Sequence, residues 1–400
     1  MEIGVVGKPN VGKSTFFSAA TLSRAEIANY PFTTVEANRG VAFVRVPEPA
    51  VDLGVEPNPR NSVSIAGYRF VPVEMIDVAG LVPKAHEGRG LGNKFLDDLR
   101  QAGALIHIVD ASGATDEEGN PLKPGEHDPC NDVRFLEEEI ELWFFGIFRR
   151  NWEKLARRVQ LAGESFERLF QELFAGLGIR EAHVKAALRE AGLSPDKPAQ
   201  WSEKELFSFA RALRRLAKPI IVAANKADVA IAERNITRLR EEFPHTRIIP
   251  TSAMAELMLK NLAEEGLIGY VPGNDSFEVL KQEKLSPKQK KALEIIKKNV
   301  LERYGSTGVQ QAINTAVLDV LGKIVVFPVE DENRYCDGEG NILPDAYLLD
   351  KGATPRDLAH KIHTEIGENF IAAIDARTKR RIASDAPLKH LDIIKIVTKK

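Results

Sequence analysis

Short apolar runs rich in β-branched residues recur through the first part of the chain, at Met1 to Gly7, Gly40 to Val46, Tyr68 to Asp77, Ala104 to Asp110, Pro219 to Asn225 and Arg247 to Thr251. Each has the length and composition of a buried strand, and helical patterns such as Lys13 to Leu22 lie between several of them. Strands separated by helices predict an α/β fold with a largely parallel sheet.

The alternation stops between Asp110 and Lys218. After an acidic loop rich in Gly, Pro and Asp, the pattern turns helical, with Phe135, Leu136, Ile140, Leu142, Trp143, Phe144, Ile147 and Phe148 at spacings of one, three and four. That periodicity predicts a helical insertion whose aromatic stripe is interhelical core. Ser202 with Glu205 has the spacing of a capping box and marks the helix leading back to the strand at Pro219. A second helical stretch includes Pro287 to Tyr304 and Val309 to Leu321, and strand character returns at Lys323 to Val329. Thr354, Pro355 and Asp357 mark one further helix start, and strands around it predict a small α+β module.

Composition fits this picture. The 400 residues are 44% hydrophobic and 28% charged, as in an ordinary folded protein of two to three domains. No basic and apolar leader opens the chain and no run is apolar enough to span a bilayer, so a cytoplasmic protein without membrane contact is expected. Cys130 and Cys336 lack partners at metal-ligand spacing and read as structural thiols. The net charge of −2 draws the whole molecule to neither nucleic acid nor anionic lipid. Residues 351–400 nevertheless carry a net +5, with a cluster at Arg377, Lys379, Arg380 and Arg381.

The chemistry concentrates in four motifs. Gly7-Lys8-Pro9-Asn10-Val11-Gly12-Lys13-Ser14 matches G-x-x-x-x-G-K-[ST] between a predicted strand and a predicted helix. Its glycines let consecutive N–H groups, including those of Asn10 to Gly12, face phosphates, and the following helix adds its positive dipole end. Lys13 is expected on the β and γ oxygens, the Ser14 hydroxyl on Mg²⁺, and Thr15 on the α-phosphate. Asp77-Val78-Ala79-Gly80 ends a predicted strand at the sheet edge where ligands of α/β folds bind. Asp77 is expected to hold Mg²⁺ through water and the Gly80 N–H to sense a γ-phosphate. Of Thr33 and Thr34, Thr34 is the better candidate for the hydroxyl that closes over Mg²⁺.

Asn225-Lys226-Ala227-Asp228 follows one apolar strand and Thr251-Ser252-Ala253 the next. The Asp228 carboxylate can accept hydrogen bonds from guanine N1–H and the 2-amino group, which adenine cannot offer. Lys226 is expected along the base plane, Asn225 bracing the loops, Ser252 beside them, and the Ala253 N–H on the guanine carbonyl. Together these predict GTP or GDP as the ligand. The catalytic residue is not identified by the motifs, because Leu81 occupies the place where Ras-like enzymes keep a water-orienting glutamine. His86 and His107 are nearby alternatives, and Asn10 suggests a K⁺ ion held against the phosphates in place of an arginine finger.

These residues resemble the Obg-related GTPases, especially the YchF and Drg branches. Tyr30-Pro31-Phe32-Thr33-Thr34 is similar to their switch I, and Asp77 through Phe95, with Gly88-Arg89-Gly90-Leu91-Gly92-Asn93-Lys94-Phe95, to the YchF switch II. Leu81 also fits this group. The segment Leu343 to Val397, with Pro344-Asp345-Ala346-Tyr347 and Asp375-Ala376-Arg377-Thr378, resembles a TGS domain. The resemblance implies a P-loop, Ras-like G domain at 1–112 and 217–256, a helical insertion at 113–216, a helical connector at 257–321 and a β-grasp TGS domain at 322–400. It also implies association with the ribosome or RNA, through the TGS and helical domains. One departure is informative: bacterial and eukaryotic YchF proteins carry Glu at the last base-reading position and prefer ATP, whereas this chain has Asp228. The expected activity is slow, Mg²⁺-dependent GTP hydrolysis in a nucleotide-dependent switch. The alternatives are a nucleotide-gated binding module with incidental hydrolysis, and an ATPase.

Overall fold

The computed structural model describes residues 2–21, 38–78 and 91–399. Thr33, Thr34, Gly80, Leu81, His86 and the glycine-rich run at 88–90 lie outside the described residues.

The first sheet is built on β1 (Glu2–Val6), β2 (Arg39–Pro47), β3 (Val63–Ile65), β4 (Tyr68–Asp77), β5 (Ala102–Asp110), β6 (Ile220–Asn225) and β7 (Ile248–Pro250). Its order is β2-β4-β1-β5-β6-β7, with β3 also paired to β4. Strands β4, β1, β5, β6 and β7 run parallel, while β2 and β3 are antiparallel to β4. The antiparallel edge departs from a simple alternation for a physical reason. Between β2 and β4 the chain holds β3 and one helix of five residues, Pro49–Leu53, too short for the helical crossover that parallel neighbours need.

Helix α1 (Lys13–Ala20) follows β1, and α2 (Leu91–Gln101) precedes β5. The insertion then opens with α3 (Pro129–Ala162), a 34-residue helix, followed by α4 (Phe166–Leu173), α5 (Glu181–Ala191) and α6 (Glu203–Ala217). The aromatic stripe is core: Trp143, Phe144 and Phe148 are buried, and Phe148 meets Phe170 and Phe174 with ring centroids 4.9 Å apart. The Ser202–Glu205 capping box forms as the spacing predicts. After β6 come α7 (Ala232–Glu242), α8 (Ala253–Glu264) and α9 (Pro287–Ile296), which continues through a π-helical segment, Lys297–Leu301. Helix α10 (Val309–Asn314), continued by the π-helical segment Thr315–Val320, closes the stretch, and its Val309, Ala312 and Ile313 share one buried core with Ile3, Val5 and Phe16.

A second, five-stranded sheet holds residues 323–398, its central strands Lys323–Val329 and Asp392–Thr398 parallel and the others antiparallel. The helix Pro355–Ile362 packs on it behind the Thr354–Asp357 capping box, giving a β-grasp. This module is joined to the first sheet by buried contacts. Arg69 is 0% exposed and donates to Glu48 at 2.6 and 3.1 Å, to Ser62 Oγ at 3.0 Å and to the Leu343 carbonyl at 2.9 Å. Backbone bonds from Asn58 to Ile342 and from Arg60 to Pro344 run alongside. Among the described residues no helix is long and apolar enough to cross a membrane.

Candidate functional site

Parallel pairing brings the C-terminal ends of β1, β4, β5 and β6 to one edge, with Val5 beside Asp77 and Asp110 beside Asn225. The four described motifs meet there. The loop after β1 turns sharply, with Asn10 at φ 63° and Gly12 at φ 92°, so the chain enters α1 from a left-handed residue. Gly12 is demanded twice. A Cβ there would be strained by the backbone and would lie 2.3 Å from Asn225 Nδ2.

That close approach is the join of the site. Asn225 Nδ2 donates to the Val11 carbonyl at 2.8 Å, and Asn225 Oδ1 accepts from the Ala253 N–H at 3.0 Å. One side chain thereby ties the phosphate loop to both loops expected to read the base. The Ala253 N–H, expected on a guanine carbonyl, is engaged in this brace instead. Asp228 Oδ1 accepts from Ser252 Oγ at 2.8 Å. Lys226, at φ 61°, reaches Asp110 Oδ2 at 2.8 Å, and Asp110 also accepts from Ser112 and Thr115.

At the other end, Lys13 Nζ bonds the Asp77 carboxylate and, at 3.1 Å, the Val78 carbonyl. Ser14 and Thr15 stand in the first turn of α1 behind Lys13. A serine hydroxyl and a carboxylate are hard oxygen donors of the kind Mg²⁺ takes. Among the described residues no group of three or more His, Cys, Asp or Glu side chains could hold a metal alone, so a cation here would rely on phosphate oxygens and water.

The helical insertion supports the phosphate loop from outside. Lys8 is buried, with Nζ donating to the Thr115 carbonyl at 3.0 Å and to Asp132 Oδ1 at 2.9 Å. Asp132 sits in the first turn of α3 and also meets His127 Nε2 at 2.9 Å; burial pushes its carboxyl above the usual range. Asn10 Nδ2 donates to the Gly119 carbonyl at 2.9 Å. Gly119 cannot carry a side chain, because its Cβ would lie 2.6 Å from the Pro9 carbonyl. The turn that presents it is folded by Asp116, which accepts from the N–H groups of Glu118 and Asn120. Asp337 folds an equivalent turn through Glu339 and Asn341. Both read D-x-E-G-N-x-L, a repeated sequence signal that could have exposed the first turn.

His107 lies within β5, 2% exposed, with Nδ1 unpartnered among the described residues. Burial, with the nearby Lys8 charge, lowers its pKa to about 3. It is a core residue. Cys130 and Cys336 are buried free thiols, and burial pushes Cys130 up to about 12, as structural thiols should behave. In the basic C-terminal cluster, Arg377 faces Asp52 at 4.0 Å and Lys379 lies 4.5 Å from the Tyr335 ring, while Arg380 and Arg381 are exposed.

The comparisons with known proteins agree with this geometry. The family model described as 50S ribosome-binding GTPase matches residues 2–132, that of the Obg-like GTPase YGR210-like G4 motif-containing domain residues 223–331, and that of the TGS domain residues 339–398. A GTP-binding protein of Methanocaldococcus jannaschii is 53% identical over 396 residues, covering 99% of this chain and 98% of that one. The chain belongs to the Obg-like GTPases. The Obg-like, YchF-related architecture extends over its whole length: the crystal structure of a GTP-binding protein from Pyrococcus horikoshii matches with a TM-score of 0.79 at 45% identity, covering 100% of both chains. The ribosome-binding ATPase YchF of Bacillus subtilis is 32% identical over 249 residues, 60% of this chain and 62% of that one. The YchF GTPase of Schizosaccharomyces pombe shares the fold, with a TM-score of 0.59 at 18% identity over 99% of this chain and 97% of that one.

Proposed function

We propose that this Obg-like GTPase is a slow, Mg²⁺-dependent GTP hydrolase that works as a nucleotide-dependent switch in the cytoplasm, with the ribosome or RNA as partner. The observation that carries the reading is Asn225, which holds the phosphate loop and both base loops in one continuous site. In this reading Asn10 to Thr15 cradle the phosphates, Lys13 leaves Asp77 for the β and γ oxygens, and Ser14, Asp77 and Thr34 hold Mg²⁺. A bound Mg²⁺ supplies positive charge to the phosphate oxygens as negative charge develops. Gly80 senses the γ-phosphate, and Asn10 is the residue for a K⁺ ion.

Asp228 reads N1–H and the 2-amino group of guanine, with Ser252 fixing one carboxylate oxygen and Lys226 lying along the base. Several relatives are named ATPases, among them YchF of Bacillus subtilis and Obg-like ATPase 1 of Gallus gallus. The retained Asp228 favours guanine here. Slow turnover follows from Leu81 at the water-orienting position and from the burial of His107. The working division is a G domain at 1–112 and 217–256, an insertion at 113–216, a connector at 257–321 and a TGS domain at 322–400. The ribosome as partner is supported by the names of the YchF relatives and by the exposed Arg380 and Arg381.

Multiple-turnover GTP hydrolysis with and without ribosomes tests the switch. Stimulation by ribosomes and different ribosome affinities of the GTP and GDP forms are expected. No stimulation, with equal affinity in both forms, would leave a binding module with incidental hydrolysis.

A further inference from the structure

The base-reading loops are held by a segment far along the chain. Asn299 Nδ2 donates to the Asp228 carbonyl at 3.5 Å, the Tyr304 hydroxyl to the Ala227 carbonyl at 3.4 Å, and the Thr307 carbonyl accepts from the Ser252 N–H at 2.8 Å. The approach is tight: at Gly308, φ 82°, a Cβ would lie 2.0 Å from the Pro250 carbonyl. Behind it sits a buried carboxylate. Glu256, in the first turn of α8, is 1% exposed and accepts from Tyr270 Oη at 2.7 Å and from the Thr307 hydroxyl. Thr307 is itself 0% exposed.

Burying a carboxyl is costly unless hydrogen bonds repay it, and two hydroxyl donors do so here. The bonds form an unbroken series. Tyr270 holds Glu256, Glu256 holds the Thr307 hydroxyl, the Thr307 carbonyl holds the Ser252 backbone, and Ser252 Oγ donates to Asp228 Oδ1 at 2.8 Å. The remaining lone pairs of Asp228 are thereby left in a fixed direction.

We infer that Thr307 and Glu256 are positioning residues that set base discrimination, by aiming the Asp228 carboxylate through Ser252. The inference rests on the reading of Asp228 as the guanine contact. A hydrogen bond gains its full selectivity only when the acceptor is held in line, so a loosened relay costs discrimination before it costs phosphate affinity.

The test is the ratio of GDP to IDP affinity in the full chain, since hypoxanthine lacks only the 2-amino group. The wild type should favour GDP by about 10-fold or more, the value of one hydrogen bond to a charged acceptor. Thr307→Val, which deletes the hydroxyl at constant shape, should lower the ratio about 3-fold or more. Thr307→Ser should restore it, and binding of Mg²⁺-tripolyphosphate, which has no base, should not change. Tyr270→Phe removes only the outermost hydroxyl of the half-buried Tyr270 and gives a second reading, expected to lower the ratio about 2-fold. A wild-type ratio well above one that neither variant changes would overturn the relay and leave the guanine reading intact. A wild-type ratio of one would overturn both.

Discussion

The two ends of the nucleotide site are built on different plans. The phosphate end is one contiguous loop, Gly7 to Ser14, whose outer supports come from the insertion that follows β5: Lys8 on Asp132 and Asn10 on Gly119. The base end is two loops, Asn225 to Asp228 and Thr251 to Ala253, backed by a segment fifty residues further on, at 299–308. Asn225 is the bridge between them. The difference has a functional consequence. Changes in the insertion should reach phosphate affinity first, and changes in the second helical stretch should reach base choice first.

The largest expected effect separates the two ends by pH. At the phosphate end His107 has its pKa lowered by burial to about 3. The unfolded chain therefore binds more protons below pH 6.5, and this contribution to stability is complete above pH 6.5 and lost as pH falls toward 3. The loss amounts to roughly 4–5 kcal/mol over that window. Glu256 at the base end has its pKa raised by burial, so its sign is reversed: its contribution is complete below about pH 4.5 and declines as pH rises through the folded value. Denaturant unfolding from pH 7 to pH 4 should show a shallower loss for His107→Leu than for the wild type. Equal slopes would deny that His107 is buried uncharged.

A smaller effect is expected from Lys8→Met, which leaves the Asp132 carboxyl with His127 as its remaining listener in the cluster. Breaking a buried pair in this way costs roughly 3 kcal/mol or more. Thermal unfolding should report the loss, GDP should bind more weakly, and the GDP-to-IDP ratio should stay at the wild-type value. A changed ratio would mean that the insertion also governs the base loops.

The smallest effect is expected from Asp228→Glu. One added methylene displaces the carboxylate from the guanine edge, and roughly 1–2 kcal/mol of preference for GDP over ADP should disappear with phosphate affinity preserved. An unchanged preference would remove Asp228 from base reading.

Much of this plan was legible in the sequence where function requires a local pattern. The phosphate loop, Asp77, the Asn225–Asp228 and Thr251–Ala253 loops, and the strands that carry them follow from glycine spacing and apolar runs. The α/β sheet and a small α+β module followed in the same way, as did the Ser202–Glu205 capping box and the helix start at Thr354, whereas the β-grasp form of that module was implied only by the family resemblance. The braces were not legible. Lys8, Asp110, Asp132, Glu256 and Thr307 are single polar residues whose partners lie far away in sequence, and burial alone makes them matter. The antiparallel edge at β2 was hidden because strand direction depends on the connection, not on the strand's own pattern. His107 lay in an apolar strand, Ile106-His107-Ile108, and the structure keeps it there as core.

The most direct measurement is calorimetric titration of the full-length protein with GDP and with ADP in the presence of Mg²⁺. GDP is expected to bind about 100-fold or more tightly than ADP, because adenine leaves the Asp228 carboxylate without its two donors. Equal affinities, or a preference for ADP, would contradict the guanine-reading site.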